Sequence, residues 1–464
     1  MNPLTGGLKF LFTTLFNSVI ALLFFLIAGH FASPSFVGKV AIIQLVETFT
    51  ATFFPVLPFQ LITREVTHYY ALSQDYSKVA YTSLTYSLLV SLFLLLLFLY
   101  SSYLWLSIPY FVLYLFTIYQ GQILTGLGKF TEVNVGNVIF TLTRWGLSII
   151  AVLYHSIELL ILIWIFGALV KAIYYQQFLP LRLHIDWQIF KEIVKVGFPI
   201  YISGIVSFIS SQGDRILTAF LLGSYELGIY QLVALAAVVP SMLVSSFSSS
   251  ILSTSTYYYV KGRDIREMSS MVLRIVSLVS LPIAILGYAV SPLFISKFFP
   301  QYVSGIVPMQ LLVLFLTATM PLQFLSTLMV VAKVSYRPFL LIGSLSALEV
   351  ISLSYLLIPR LGILGAAIAQ VVNTLLTSVL YLLFSIKQNV FSLGRREVFM
   401  LIVTALSFLS LINWAVALVL VVLGFRLLGL VSADEIRVVE SLTPQSLKWF
   451  IKALYLISSN RSIY

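Results

Sequence analysis

The sequence contains no cysteine and only four histidines. Disulfides, thiolate metal sites and cysteine nucleophiles are therefore excluded, and His30, His68, His155 and His184 are too scattered to give a metal-ligand spacing. Charged residues make up only 9% of the chain, too few for a domain that folds in water and needs a charged exterior. A phosphate-binding glycine loop ending in lysine and serine is missing too, which argues against direct energisation by ATP. None of these patterns calls for a cofactor or a metal.

What the chain has instead is apolar residue, 60% of the total. Runs of about twenty mostly apolar residues, enough to cross a bilayer as a helix, fall near 8–29, 37–60, 79–100, 104–126, 133–153, 158–178, 196–221, 226–252, 267–290, 305–331, 339–358 and 362–385. The first run has only Lys9 as a nearby charge and no small-x-small cleavage site, so it reads as a retained span rather than a signal peptide. The run Val398–Val431 reads as two short helices around Asn413, bringing the count to fourteen. The expected fold class is an all-α polytopic membrane protein with 12–14 transmembrane helices.

A net charge of +11 would suggest nucleic acid for a soluble protein. Here the basic residues sit in short loops between spans. Loops after even-numbered spans hold Arg64, Lys78, Lys129, Arg182, Lys191 and further lysines and arginines, whereas those after odd-numbered spans hold little beyond Lys39, Lys297 and Arg360. The positive-inside rule then puts the amino terminus in the cytoplasm of a cell whose cytoplasmic membrane carries the chain. No nucleic-acid partner is expected.

The chain also repeats itself. Gly38 is followed by Tyr69, Tyr70 and Asp75, and Gly228 by Tyr258, Tyr259 and Asp264, an offset of about 190 residues. Later, Gly128 and Lys129 match Ala332 and Lys333. Six spans separate equivalent points, an even number, so two six-helix lobes related by a parallel pseudo-two-fold axis along the membrane normal are expected. The division falls in Leu179–Lys195, giving lobes at 1–180 and 181–390 and a C-terminal helix or helix pair with its tail at 391–464. Pro55, Pro58 and Pro240 lie in corresponding spans and should kink them.

Two spans carry polar faces. In Gly197–Tyr230, residues Ser203, Ser207, Ser210, Ser211, Asp214, Arg215 and Thr218 share an arc of roughly 140° at 100° per residue. In the fifth span, Asn134, Asn137, Thr141, Arg144 and Ser148 recur every three or four residues. Ionisable groups inside a span point to function. The planar fork of Arg144 suits phosphate or carboxylate; the alternative is a buried ion pair with Glu47 or Asp214. The expected substrate-binding set is Arg144, Arg215, Asn137, Asn134, Ser207 and Ser210, with Asp214 and Glu47 as coupling or structural acids. Asp214 calls for a basic partner or for a titrating role, Glu349 for an interhelical bond, and Lys171 and Arg274 for snorkelling towards the nearer surface. The serines from Ser245 to Thr256 suit close helix packing.

The stretch GFPIYISGIVSFISSQGDRILTAFLLGSYELGIYQLVALAAVVP resembles the seventh and eighth helices of polysaccharide flippases in the multidrug/oligosaccharidyl-lipid/polysaccharide (MOP) exporter superfamily. LGILGAAIAQVV, Leu361–Val372, is similar to that family's glycine- and alanine-rich twelfth helix. The resemblance implies a pair of six-helix lobes that work by alternating access. It also implies a polyprenyl-linked oligosaccharide as substrate, with membrane lipids and glycan-assembly enzymes as partners and no catalytic step. Asn17 stands in the first span where cation-coupled exporters of the superfamily have an acid, which favours the lipid-linked branch. The alternatives are a cation-coupled multidrug exporter and a membrane glycan polymerase or glycosyltransferase.

Overall fold

The computed structural model describes residues 3–72, 75–91, 102–179, 182–245, 264–332, 334, 336–432 and 435, and among them every regular element is a helix. Contacts divide the chain into two compact units, Met1–Leu232 and Val233–Tyr464. The seventh helix and the start of the eighth thus group with the first unit, beyond the loop Leu179–Lys195 at which the sequence suggests a division.

In the first unit, α1 (Pro3–Phe31), α2 (Pro34–Phe53), α3 (Phe59–Ala71), α4 (Ser77–Ser91), α5 (Ser102–Leu106), α6 (Ile108–Gly126), α7 (Phe130–Thr141), α8 (Ser148–Leu153) and α9 (Ile157–Gln176) lead into α10 (Trp187–Ser245). Ser33 and Ser156 start α2 and α9 by accepting hydrogen bonds from the amides of Phe36 and Leu159. Packing centres on α6, whose Leu115, Tyr119, Ile123 and Leu124 meet Leu61, Ile62 and Val66 of α3 and Tyr175 of α9 in one buried cluster.

The second span is broken where its prolines lie. Pro55 and Pro58 lack an amide hydrogen and their rings crowd the preceding turn, so α2 stops at Phe53 and α3 begins only at Phe59. The freed carbonyls must find donors in a place without bulk water. Three tyrosines supply them: Tyr201 Oη donates to Phe53 O at 2.8 Å, Tyr86 Oη to Phe54 O at 2.6 Å and Tyr119 Oη to Leu57 O at 3.2 Å.

Within α10, Gly223 has φ 82° and ψ −174°, a conformation open essentially to glycine alone. It divides the run into the expected seventh and eighth helices. The second of these crosses α2 with no side chain between the backbones. A Cβ on Gly38 would lie 1.7 Å from the Ser224 carbonyl oxygen, and one on Gly228 1.8 Å from that of Pro34. Ser224 and Gly228 stand 190 residues after Pro34 and Gly38, so the contact is reciprocal between positions that the sequence offset pairs.

In the second unit, α11 (Ile265–Phe298) packs on α12 (Ile306–Ala318), α13 (Met320–Val331), α16 (Arg395–Ser407) and α17 (Trp414–Leu428), while α14 (Arg337–Leu361) packs on α15 (Ile363–Lys387). The run Val398–Val431 does form two short helices around Asn413, whose side chain accepts from the amides of Ala415 and Val416 at 3.0 and 3.2 Å and so caps α17.

Among the described residues, nine helices are long and apolar enough to cross a membrane; one of them, Trp187–Val239, is the run that Gly223 divides. Phe16–Phe31, Met320–Val331 and Trp414–Leu428 are shorter apolar helices. Phe220, Leu348 and Leu427 are 75%, 65% and 77% exposed, which suits a hydrocarbon solvent and not water. The chain is a multi-pass membrane protein. The serines beyond Ser245, Tyr258, Tyr259, Lys333 and the tail with Arg437, Lys448 and Lys452 lie outside the described residues.

Candidate functional site

Arg144 sits in a turn of π-helix, Leu142–Gly146, that joins α7 to α8. Ser148 donates to the Arg144 carbonyl, and Trp164 Nε1 donates to Ser148 Oγ at 3.1 Å, so the irregular turn is held from α9. The guanidinium points into the unit and grips Glu47 of α2 through two bonds, Nη1 to Oε1 at 3.1 Å and Nη2 to Oε2 at 2.5 Å. Tyr110 adds a third bond to Glu47 Oε2 at 2.7 Å. The guanidinium carbon lies 4.1 and 4.4 Å from the ring centroids of Trp164 and Trp145, within cation–π range. Of the two acids named for Arg144, the structure selects Glu47. A guanidinium so enclosed has both terminal nitrogens engaged, leaving only a buried Nε without an acceptor.

Asp214 has a different partner from the basic residue expected. Tyr230 Oη donates to its Oδ2 at 2.5 Å across the Gly223 turn, tying the seventh helix to the eighth, while Oδ1 is buried with no hydrogen-bond partner among the described residues. Arg215, next to it but turned away, is half-buried and donates to Gln212 Oε1 at 3.3 Å. Lys171 and Arg274 do not snorkel. Both are buried, Lys171 against the rings of Phe140 and Tyr175 and Arg274 between Glu397 and Glu435. Glu349 lacks the interhelical bond expected of it, for neither carboxylate oxygen has a partner among the described residues. Sequence spacing misses these because a helical period shows which face a residue occupies and not which helix covers that face.

Among the described residues of the first unit, two cavities bear on the expected set. The larger, about 480 Å³, opens beside the proline break and is lined by Thr48, Thr52, Gln60 and Phe59 on one side and by Tyr201, Ser203, Ser207, Phe208 and Ser211 of α10 on the other. The lining holds no carboxylate and no lysine, arginine or histidine. Ser207 from the expected set is there, and Ser210, on the same helix, is not among the lining residues. The smaller cavity, about 240 Å³, lies between α6, α7 and α9 and takes in Asn137 and Lys171. Asn134 is buried with both amide atoms unpartnered among the described residues. The structure therefore divides the expected set among separate places: Arg144 with Glu47, Asn137 with Lys171, and Ser207 with the tyrosine-held proline break.

The fold has close parallels. An inward-facing multidrug resistance MATE family transporter of the MOP superfamily superposes with a TM-score of 0.65 at 14% identity, over 80% of this chain and 94% of that one. Lipid II flippase MurJ in its inward closed conformation gives 0.62 at 14% identity, over 90% and 98%. The chain has the MOP exporter fold. A MATE transporter in complex with MaL6 also carries this fold, at a TM-score of 0.55 and 12% identity over 84% and 97%. Residues 120–308, from the end of α6 to the start of α12, match the family described as polysaccharide biosynthesis protein. No curated protein matches the sequence. The resemblance read from the seventh, eighth and twelfth helices thus agrees with both the exporter fold and the polysaccharide family.

Proposed function

We propose that this MOP-fold protein is a flippase that carries a polyprenyl-linked oligosaccharide across the cytoplasmic membrane by alternating access, without a covalent step. The observation that carries the reading is the lining of the 480 Å³ cavity, which offers hydroxyls, an amide and aromatic rings but no carboxylate and no lysine, arginine or histidine. Sugars are recognised by such donors and acceptors together with ring faces, whereas a cationic drug needs an acid to balance it. The polysaccharide match over residues 120–308 supports the same substrate class. Membrane lipids and the glycan-assembly enzymes that supply the substrate are the partners this implies. Two six-helix lobes related by a parallel repeat remain the architecture we infer, supported by the reciprocal Gly38 and Gly228 contact.

In cells lacking the protein, lipid-linked oligosaccharide should build up on the cytoplasmic leaflet. Supplying Ser207→Leu in place of the native chain should restore export only in part. An unchanged leaflet distribution would reject the reading. The multidrug alternative draws on the likeness to MATE transporters, and sensitivity of the same cells to cationic dyes would support it. The cytoplasmic amino terminus, inferred from loop charge, is tested with His184→Cys and Tyr225→Cys in this cysteine-free chain. An impermeant thiol reagent outside intact cells should reach 225 and not 184, and the opposite pattern would invert the topology.

A further inference from the structure

Lys171 is an anomaly for a buried charge. It is only 6% exposed, and an ammonium group removed from water needs a counter-charge or several acceptors. No ion pair or hydrogen bond of its ammonium group is found among the described residues. Its stabilising neighbours are two ring faces, Phe140 at 5.0 Å and Tyr175 at 5.5 Å from Nζ to centroid. The buried acid whose charge reaches it is Glu47, and Glu47 is already taken by both terminal nitrogens of Arg144 and by Tyr110. Arg144, Glu47 and Lys171 together carry one positive charge too many.

The cavity beside Lys171 is built to receive the missing charge. Its walls are Thr117, Gly121, Gln122 and Thr125 of α6, Asn137 of α7, and Lys171 and Tyr175 of α9, with two apolar residues and no carboxylate. The hydroxyls of Thr117, Thr125 and Tyr175 are spent on the carbonyls of Tyr114, Gly121 and Val133. Gln122 Oε1 is occupied by Thr63 Oγ1 at 2.7 Å, which turns its amide nitrogen into the free end. The side-chain amide of Asn137 forms no hydrogen bond among the described residues. The protons left to a guest are thus those of an ammonium, of the Gln122 amide nitrogen and of Asn137, whose free amide can turn its nitrogen to the cavity, and these suit an anion. The cavity lies near one end of the bundle, since Thr125 precedes the last residue of α6, Val133 is in the first turn of α7, and Lys171 stands five residues before the end of α9.

We propose that this cavity is a binding site for a phosphoryl oxyanion, with Lys171 as counter-ion and Asn137 and Gln122 as hydrogen-bond donors. About 240 Å³ admits a phosphate group with its near substituents and not an oligosaccharide. A site within two turns of the helix ends is open to the phosphate of a lipid at the membrane surface or to free phosphate from the aqueous phase. The inference stands apart from the glycan reading, because it concerns a different cavity and a different chemistry.

The test uses the purified full chain in a maltoside detergent, which contains no phosphate, titrated calorimetrically with inorganic phosphate and with geranyl phosphate. Saturable binding of at least one probe is expected. Lys171→Met should weaken it by about tenfold or more, the effect of losing a hydrogen bond to a charged group, while its thermal midpoint stays level or rises because a buried charge is gone. Asn137→Leu gives a second reading of the same loss should the methionine variant fold poorly. Binding of both probes marks a site for the free anion, and binding of geranyl phosphate alone marks a lipid headgroup site. Failure of both probes to bind the native chain, or equal affinity in Lys171→Met, overturns the proposal. Because transport is not measured, loss of the flippase reading would leave this result standing.

Discussion

Arg144 in the first unit and Arg274 in the second are both buried arginines in a membrane bundle, and they are held in opposite ways. Arg144 shares one carboxylate, Glu47, and fills the rest of its surroundings with the rings of Trp145, Trp164, Phe140 and Tyr110. Arg274 of α11 lies between two carboxylates, Glu397 at the start of α16 and Glu435 beyond α17, with its Nε donating to Glu435 Oε1 at 3.1 Å. The first arrangement joins α2 to the π-helical turn deep in a hydrocarbon-like core. The second fastens the C-terminal helix pair to α11. A buried arginine therefore does not by itself mark a ligand site: its acids and rings have to be counted before a substrate is assigned to it.

The comparison breaks most readily at Arg144. Arg144→Ala leaves Glu47 charged and unpaired, at a cost of about 3–5 kcal/mol, so membrane abundance and thermal midpoint should both collapse. Glu47→Gln added to Arg144→Met should restore much of each. A stable, abundant Arg144→Ala protein that no longer exports glycan would instead return this arginine to the substrate.

Arg274→Ala should cost less, about 2–3 kcal/mol, because the two acids it leaves can share a proton. The loss should appear as faster proteolysis of the connection 388–394 between α15 and α16, with the first unit unaffected. Equal protection of that connection in mutant and native protein would show that the arginine does not hold the pair. Tyr110→Phe sharpens the contrast, removing one hydrogen bond to Glu47 while leaving the ion pair, for about 1–2 kcal/mol.

The smallest effects belong to two surface caps. The side chains of Ser77 and Arg266, and then their amides donating at 2.9 Å each, hydrogen-bond the carboxyls of Asp75 and Asp264 and hold both below the usual value of 3.8. A carboxyl lowered in the folded state adds stability above its unfolded value and loses it as pH falls through the folded one. Thermal midpoints should therefore be flat down to about pH 4 and fall below it, slightly less so in Asp75→Ala and Asp264→Ala. Were these two variants to differ as widely as those at Arg144 and Arg274, the contrast would concern the two units and not their buried sites.

Much of this was legible in the sequence. The three-and-four spacing of Asn134, Asn137, Thr141, Arg144 and Ser148 marks a polar stripe, and the residues at 134, 141, 144 and 148 are each buried. Pro55 and Pro58 pointed to a kink where the helix is in fact broken, Pro240 pointed to one where the helix runs on, and Asn413 marked the gap between two short helices. The partners were harder to read. Tyr230 reaches Asp214 only because Gly223 folds the chain back, and a tyrosine carries no charge by which to be picked out as the mate of an acid. Lys171 looked close enough to a helix end to reach water; one of the rings that keep it in, Tyr175, stands four residues on along the same helix, and the other, Phe140, belongs to α7, which no single-helix pattern contains. The π-helical turn at Arg144 has no sequence signal of its own.

The bare crossing of α2 with the eighth helix carries a consequence for heredity. Gly38 and Gly228 are remote in the gene, yet each would drive a side chain into the backbone that the other belongs to. Neither can compensate for a change in its counterpart, since both already bear the smallest residue there is. An alanine at one codon cannot be rescued by any codon at the other, and only a shift of a whole helix would make room. Each position is therefore held to glycine on its own account, and two stretches of sequence otherwise free to diverge each keep one invariant point where they meet.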